Sequence, residues 1–185
     1  MELSRLHFYL ENTMALIVEG GTGLAAADSY ISLADARTYA ENYGYTLPVD
    51  DTEADVALRK GAKYVDLFES SFSGQRLNDT QALAWPRIYA YKCLGNNQIQ
   101  IPSDSVPVEA KNAQVIAAAT YGAGTDVRSN NDGLGIASEE VTGAVKVSYF
   151  DNGKTGGSIE ITEAIDELSA LLCRYNLFSV PTLRV

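Results

Sequence analysis

Apolar residues recur at helical spacing in four stretches of the chain, which predicts four helices. The first runs from an N-cap serine, Ser32, to a C-cap glycine, Gly44. The second begins with Thr52 as its cap, has Asp55 in a capping-box position, and continues through Phe68. These two patterns predict neighbouring helices that pack against each other.

The third and fourth helices are predicted in the second half of the chain. The third begins near Pro107, after capping oxygens from residues 103–105, and ends at Gly122. The fourth begins at Thr162 and has one apolar face, which consists of Ile165, Leu168, Leu171 and Leu172. The predicted fold is therefore mainly α: a small helical bundle with extended N- and C-terminal arms.

Alternation with a period of two predicts one β-hairpin near the C-terminal third, over residues 141–161. Val145, Val147 and Tyr149 form its first strand, DNGKTGG its turn, and SIEIT its second strand. The glycine- and asparagine-rich residues 122–138 before it are predicted to be a loop. Residues 70–81 are also predicted to be a loop, and 92–107 a loop with one short apolar alternation.

Two shorter stretches have less regular patterns. ALIVE, followed by GGTG, predicts an arm or edge strand and then a turn. TQALAWPR is compatible with a short helix or an extended piece, which Pro86 ends because it keeps Trp85 out of the α region. We interpret Trp85 and Pro86 as structural, with the indole in the core.

The net charge of −10 changes the functional picture, because 24 acidic residues outnumber 14 basic ones. Proteins that hold phosphates along a broad surface use lysine and arginine to displace counterions. Such binding is disfavoured here. Arg59, Lys60 and Lys63 form a local basic cluster, which fits either a solvated helix face or a binding patch.

Cysteine usage does not indicate a disulfide-stabilised protein, and hydropathy does not indicate a membrane protein. Cys93 and Cys173 are far apart and form no CxxC pair, so we interpret them as buried thiols. No apolar run is long enough to span a bilayer, and the N-terminus does not resemble a signal peptide. A cytosolic or virion protein is expected.

No pattern in the sequence assembles an active site. The single histidine, His7, lies in the first 13 residues, and EGGTG lacks the GK[ST] of a phosphate loop. The carboxylates of residues 50–55 fall at a predicted helix N-terminus, where negative charge is stabilising without any catalytic role. We therefore predict a binding or structural protein that is not an enzyme and has no catalytic residues, metal or cofactor.

Three stretches together resemble one family: residues 14–36, the ALAWPR block at 82–87, and residues 101–119. They are similar to phage proteins described as DnaT-like single-stranded-DNA-binding proteins, and that family also resembles head-to-tail connector adaptors. The resemblance implies an extension at 1–13, a helical adaptor domain at 14–172 and a tail at 173–185.

The resemblance implies two functions, and the acidic charge favours the adaptor because an acidic channel lets DNA pass without binding it. The prediction is a virion protein at the head-tail junction, a ring of twelve copies that contacts the portal and a tail or second connector protein. The alternative is single-stranded-DNA binding in phage replication, and a globular protein with neither role stays open. The predicted interface residues are Arg59, Lys60, Lys63, Tyr175, Leu177, Phe178, Val180 and Leu183.

Overall fold

The computed structural model describes residues 15–95, 97–125, 138–141, 145–148 and 161–173. Within these ranges the chain forms four helices and three two-stranded antiparallel sheets. The helices are α1 (Leu33–Tyr43), α2 (Asp51–Asp66), α3 (Val108–Gly122) and α4 (Thr162–Leu168). The sheets pair β1 (Gln75–Arg76) with β2 (Arg87–Ile88), β3 (Tyr91–Leu94) with β4 (Asn97–Gln100), and β5 (Ser138–Val141) with β6 (Val145–Ser148).

The prediction of a mainly α bundle is wrong, because the fold is mixed α/β. Two segments predicted to be loops supply strands β1, β3 and β4. Their backbone N–H and C=O groups need partners as they cross the molecule, and short antiparallel ladders provide them. The β3–β4 turn is compatible with such a ladder because Gly95 adopts the left-handed conformation there, with φ of 61°.

The caps of α1 are those predicted from the sequence, and the cap of α2 is not. The Ser32 side chain accepts a hydrogen bond from the Asp35 backbone N–H, and Gly44 ends α1 in the left-handed conformation. Helix α2 starts earlier than Thr52, because Asp50 is its N-cap and accepts a hydrogen bond from the Glu53 N–H. Aspartate is a strong N-cap residue, and its charge also complements the helix dipole.

Helices α2 and α3 pack closely because both carry small residues at their contact. A Cβ at Gly61 would lie 2.3 Å from the Gln114 carbonyl oxygen, so only glycine fits there without movement. The Gln114 side chain is fully buried and bonds to three partners: it accepts from the Tyr30 N–H and donates to the Ser29 hydroxyl and the Leu58 carbonyl. This polar link holds α3 against α2 and the segment before α1.

The EGGTG stretch is a turn, as predicted, and it closes around its own glutamate. Glu19 is 1% exposed, and its carboxylate accepts hydrogen bonds from four successive backbone N–H groups at 2.6–3.0 Å, those of Gly21, Thr22, Gly23 and Leu24. A buried carboxylate needs such compensation, and the tight turn supplies it.

The predicted hairpin at 141–161 has the wrong partner strand. The alternating residues 145–148 do form a strand, β6, but it pairs with β5 at 138–141. Two consecutive glutamates interrupt the alternation in β5, which begins at the last residue of the stretch predicted to be a loop, Ser138. Of the proposed second strand SIEIT, at 158–162, residues 158–160 lie outside the described residues, and Thr162 is the first residue of α4.

The interpretation of the cysteines as buried thiols is also wrong, because Cys93 and Cys173 form a disulfide. The fold brings β3 alongside the end of α4, where the Cys93 N–H donates to the Ala170 carbonyl at 2.9 Å. The two Cα atoms are 5.0 Å apart, within the range that a disulfide spans. Their separation of 80 residues made this pairing invisible in the sequence.

Candidate nucleic-acid interface

The ALAWPR block is buried from Leu83 to Arg87, and only Ala82 at its start is exposed. The Trp85 ring is fully buried and lies 5.4 Å from the Phe72 ring, measured between centroids. The Trp85–Pro86 peptide bond is cis. Trp85 and Pro86 therefore lie where the sequence placed them, inside the molecule.

A buried hydrogen-bond network connects this block to the end of α2. The Tyr30 hydroxyl donates to Asp66 and accepts from the Trp85 N–H at 3.3 Å, while Asp66 also accepts from the Ala84 N–H at 3.1 Å. Burial raises the pKa of Asp66, and burial together with the Asp66 charge raises the pKa of Tyr30. Perturbed acids can mark active sites, but here both groups bond to backbone or to each other, which indicates a structural role.

Arg87 belongs to the same structural unit. Its guanidinium is 6% exposed and donates to three carbonyl oxygens, those of Ser73, Gly74 and Ala84. Glu69 lies 3.6 Å from it and also pairs with Arg76 through two hydrogen bonds of 2.5 and 2.6 Å. Arg87 therefore has an acidic neighbour, Glu69, and its guanidinium is not available to a phosphate.

Most basic side chains in the described ranges are neutralised by carboxylates. Five form ion pairs: Arg37, Arg59, Arg76, Arg87 and Lys92. Three described lysines have no ion pair, namely Lys60, Lys63 and Lys111. Of the predicted basic cluster, Arg59 is held by Asp28 at 2.6 Å, whereas Lys60 and Lys63 are exposed.

The two exposed lysines share one face of α2 with two exposed apolar residues. We call this set the α2 lysine face: Val56, Lys60, Lys63 and Leu67, which recur at helical spacing. Val56 is 46% exposed and Leu67 is 51% exposed. The two positive charges therefore lie between two exposed apolar side chains along about three helical turns.

A surface groove borders the first half of the α2 lysine face. We call it the α2 groove. Pro48, Glu53, Val56 and Tyr121 line it, and Lys60 lies over the Tyr121 ring at 5.8 Å from the centroid. Groups that can bind a phosphate, a flat ring and a hydrogen-bond donor thus meet in one concave surface.

The tyrosines are divided between core and surface. Tyr30 and Tyr64 are buried, as the core faces of the sequence pattern suggest, whereas Tyr43 is 67% exposed and Tyr89 is 75% exposed. Tyr121 lines the α2 groove, and sequence reasoning did not single it out. Its position one residue before the end of α3 gave no signal, because its neighbour Lys60 is 61 residues away.

The remaining predicted interface residues lie outside the described ranges: Tyr175, Leu177, Phe178, Val180 and Leu183. In the part of the chain that the structure describes, no group of three histidine, cysteine, aspartate or glutamate side chains is placed to hold a metal ion. No helix in the same ranges is long and apolar enough to cross a bilayer.

Comparison with known proteins gives one family. The model of the family described as "Putative DnaT-like ssDNA binding protein" matches residues 14–185. Searches of curated proteins and of solved structures gave no significant match.

This match overturns the predicted head-to-tail adaptor and favours the alternative, single-stranded-DNA binding. The predicted partners are likewise wrong: the portal, the tail or second connector protein, and the other copies of a twelve-membered ring. The prediction that DNA passes without binding is also wrong. The adaptor was predicted because the net charge of −10 was treated as a property of the whole surface. DNA binding depends instead on the charge of the particular surface that contacts the DNA. The division into domains, the virion location and the absence of catalysis stay predictions.

Proposed function

The chain belongs to the DnaT-like single-stranded-DNA-binding family, and we propose that it binds single-stranded DNA through the α2 lysine face. The observation that carries this proposal is the unpaired positive charge on that face. Lys60 and Lys63 are exposed and lack ion pairs, while five other described basic side chains are neutralised. An unpaired lysine can replace the counterion of a phosphate, and a paired one gains little by doing so.

The apolar and aromatic groups beside the lysines favour a single strand over a duplex. Unpaired bases expose their faces and stack on aromatic or apolar side chains, whereas duplex bases are stacked on each other. Val56 and Leu67 on the α2 lysine face, and Tyr121 in the adjoining groove, provide such surface. The acidic remainder of the protein limits the contact to a few phosphates, so binding should be modest in affinity and sensitive to salt.

We propose this as a binding role without catalysis. The sequence reasons are the single histidine in the first 13 residues and the absence of a phosphate-loop motif.

Fluorescence anisotropy with a labelled single-stranded oligonucleotide and its duplex tests the proposal. The full chain should bind the single strand more tightly at low salt. The double variant Lys60→Ala/Lys63→Ala should bind more weakly, and the slope of log affinity against log salt should become shallower by about 0.7 for each lysine removed.

The matched control is Lys111→Ala, which removes another lysine without an ion pair but lies on α3. It should bind like the unaltered protein. Equal weakening by the control would show a general charge effect and contradict the α2 lysine face, and no binding by the unaltered protein would contradict the function itself.

A further inference from the structure

The α2 groove is lined by side chains of opposite charge. Lys60 and Glu53 both line it, seven residues apart on the same helix. Seven residues are two turns of a helix, so the side chains point to the same side with about 10 Å between them along the axis. That spacing is comparable with one extended nucleotide, from its phosphate to the far edge of its base.

Glu53 has no ion pair among the described residues, although its backbone N–H is bound to the Asp50 cap. A carboxylate facing DNA repels phosphates, so it weakens binding unless it meets a hydrogen-bond donor. The donors on a nucleic acid are on the bases. In the groove, Lys60 therefore suits the phosphate and Glu53 suits the base edge.

The other side chains that line the groove suit a flat ring. Pro48 and Val56 are apolar, and the Tyr121 ring lines the same groove. An ionised carboxylate only accepts hydrogen bonds, through two oxygens side by side. Guanine presents two adjacent donors on its pairing edge, N1–H and the N2 amino group, whereas adenine, cytosine and thymine present one donor group each.

Resting on the proposed function, we infer that the α2 groove binds one unpaired guanine, with Glu53 accepting from N1–H and N2–H and Lys60 contacting the adjoining phosphate. Binding is then base-selective at one position of an otherwise sequence-tolerant strand. The preference should survive high salt better than overall affinity does, because it depends on hydrogen bonds and not on counterion release.

The test compares oligothymidylates that carry one central guanine or one central hypoxanthine, which lacks only the N2 amino group. The full chain should bind the guanine strand at least about tenfold more tightly, the effect of one lost hydrogen bond to a charged group. In Glu53→Gln the overall affinity should rise, because a negative charge is removed, and the guanine preference should fall towards one. Glu41→Gln, an exposed glutamate on α1 outside the groove, should keep the preference.

Equal binding of the two strands by the unaltered protein would overturn the guanine site while leaving single-strand binding in place. A preference that persists in Glu53→Gln would also overturn it, because the base would then be recognised elsewhere. If neither strand binds, the proposed function fails together with the inference. Thermal unfolding of each variant verifies that the fold is intact.

Discussion

The Glu19 carboxylate organises the turn that follows it, since four backbone N–H groups point at its two oxygens. Glu19→Ala would leave these buried donors without an acceptor, and their desolvation is then uncompensated. We expect the free energy of unfolding to fall by roughly 3 kcal/mol, measured by urea denaturation.

Glu41→Ala is the control for this loss, because Glu41 is an exposed glutamate on α1. Its effect should stay within about 0.5 kcal/mol. If Glu19→Ala were as stable as the control, the turn would not depend on the carboxylate.

A second glutamate, Glu69, should make part of the stability pH-dependent. Its hydrogen bonds with Arg76 hold the pKa of Glu69 below its ordinary value of 4.5. A depressed pKa means that the ionised form stabilises the folded state above the unfolded pKa, and that this stabilisation is lost as the pH falls through the folded pKa.

We therefore expect Glu69→Gln to be less stable than the unaltered protein at pH 7, by about 1 kcal/mol for a partly exposed pair. The difference should stay constant down to about pH 4.5 and shrink below it. Burial raises the pKa of Asp66, so its contribution to stability increases as the pH falls. This contribution is present in both proteins and largely cancels when their free energies of unfolding are subtracted. A difference that does not change between pH 7 and pH 3 would contradict the assignment to Glu69.

Among the elements, the contact of α2 with α3 depends on a missing side chain. A Cβ at Gly61 would meet the Gln114 carbonyl at 2.3 Å and the Ala118 N at 3.1 Å. Alanine forms helices better than glycine by about 1 kcal/mol, but the clash opposes this gain and forces the helices apart. Gly61→Ala should lower the free energy of unfolding by roughly 2 kcal/mol in a urea titration.

Gly20→Ala is the matched substitution, since a Cβ at Gly20 would have no atom within 4 Å. It should leave the denaturation midpoint nearly unchanged. Tolerance of alanine at both glycines would mean that the helix contact can relax.

The elements also show which parts of the fold were predictable. Helical period located α1 to α4 because this signal comes from residues within one or two turns. The predicted caps are correct for α1, where Ser32 accepts from the Asp35 N–H, but not for α2, which Asp50 caps, or for α3, whose N-cap Pro107 has no side-chain cap. Apart from β6, the strands were missed because their partners are distant or irregular: Gln75 pairs with Ile88 across the Trp85 block. Such pairing depends on tertiary packing, which a local pattern does not contain.

The candidate site was predictable to the same extent. Exposed charge at helical spacing identified Lys60 and Lys63 on one helix. The neutralisation of Arg59 by Asp28, 31 residues earlier, and the contact of Lys60 with Tyr121 required the fold. Sequence therefore located the basic cluster, and only the structure separated its unpaired lysines from its paired arginine.

At the scale of the whole molecule, one covalent link joins distant parts of the chain. The Cys93–Cys173 disulfide connects the β3–β4 hairpin to the segment after α4 and closes a loop of about 80 residues. Helix α3 lies inside that loop and α4 near its end, so the link restricts the unfolded chain over nearly half of its length.

Closing a loop of this length lowers the entropy of the unfolded state, and chain-entropy arguments give roughly 4 kcal/mol of stabilisation. We expect a thiol reductant to lower the free energy of unfolding by up to about that amount in urea. The double variant Cys93→Ala/Cys173→Ala should show the same loss without reductant and no further response when it is added.

Thiol titration of the unreduced, urea-unfolded protein gives the independent measurement: no free thiols are expected. Two free thiols, with a stability that reductant does not change, would show that the cysteines are close but unbonded, and that packing alone holds the hairpin against α4.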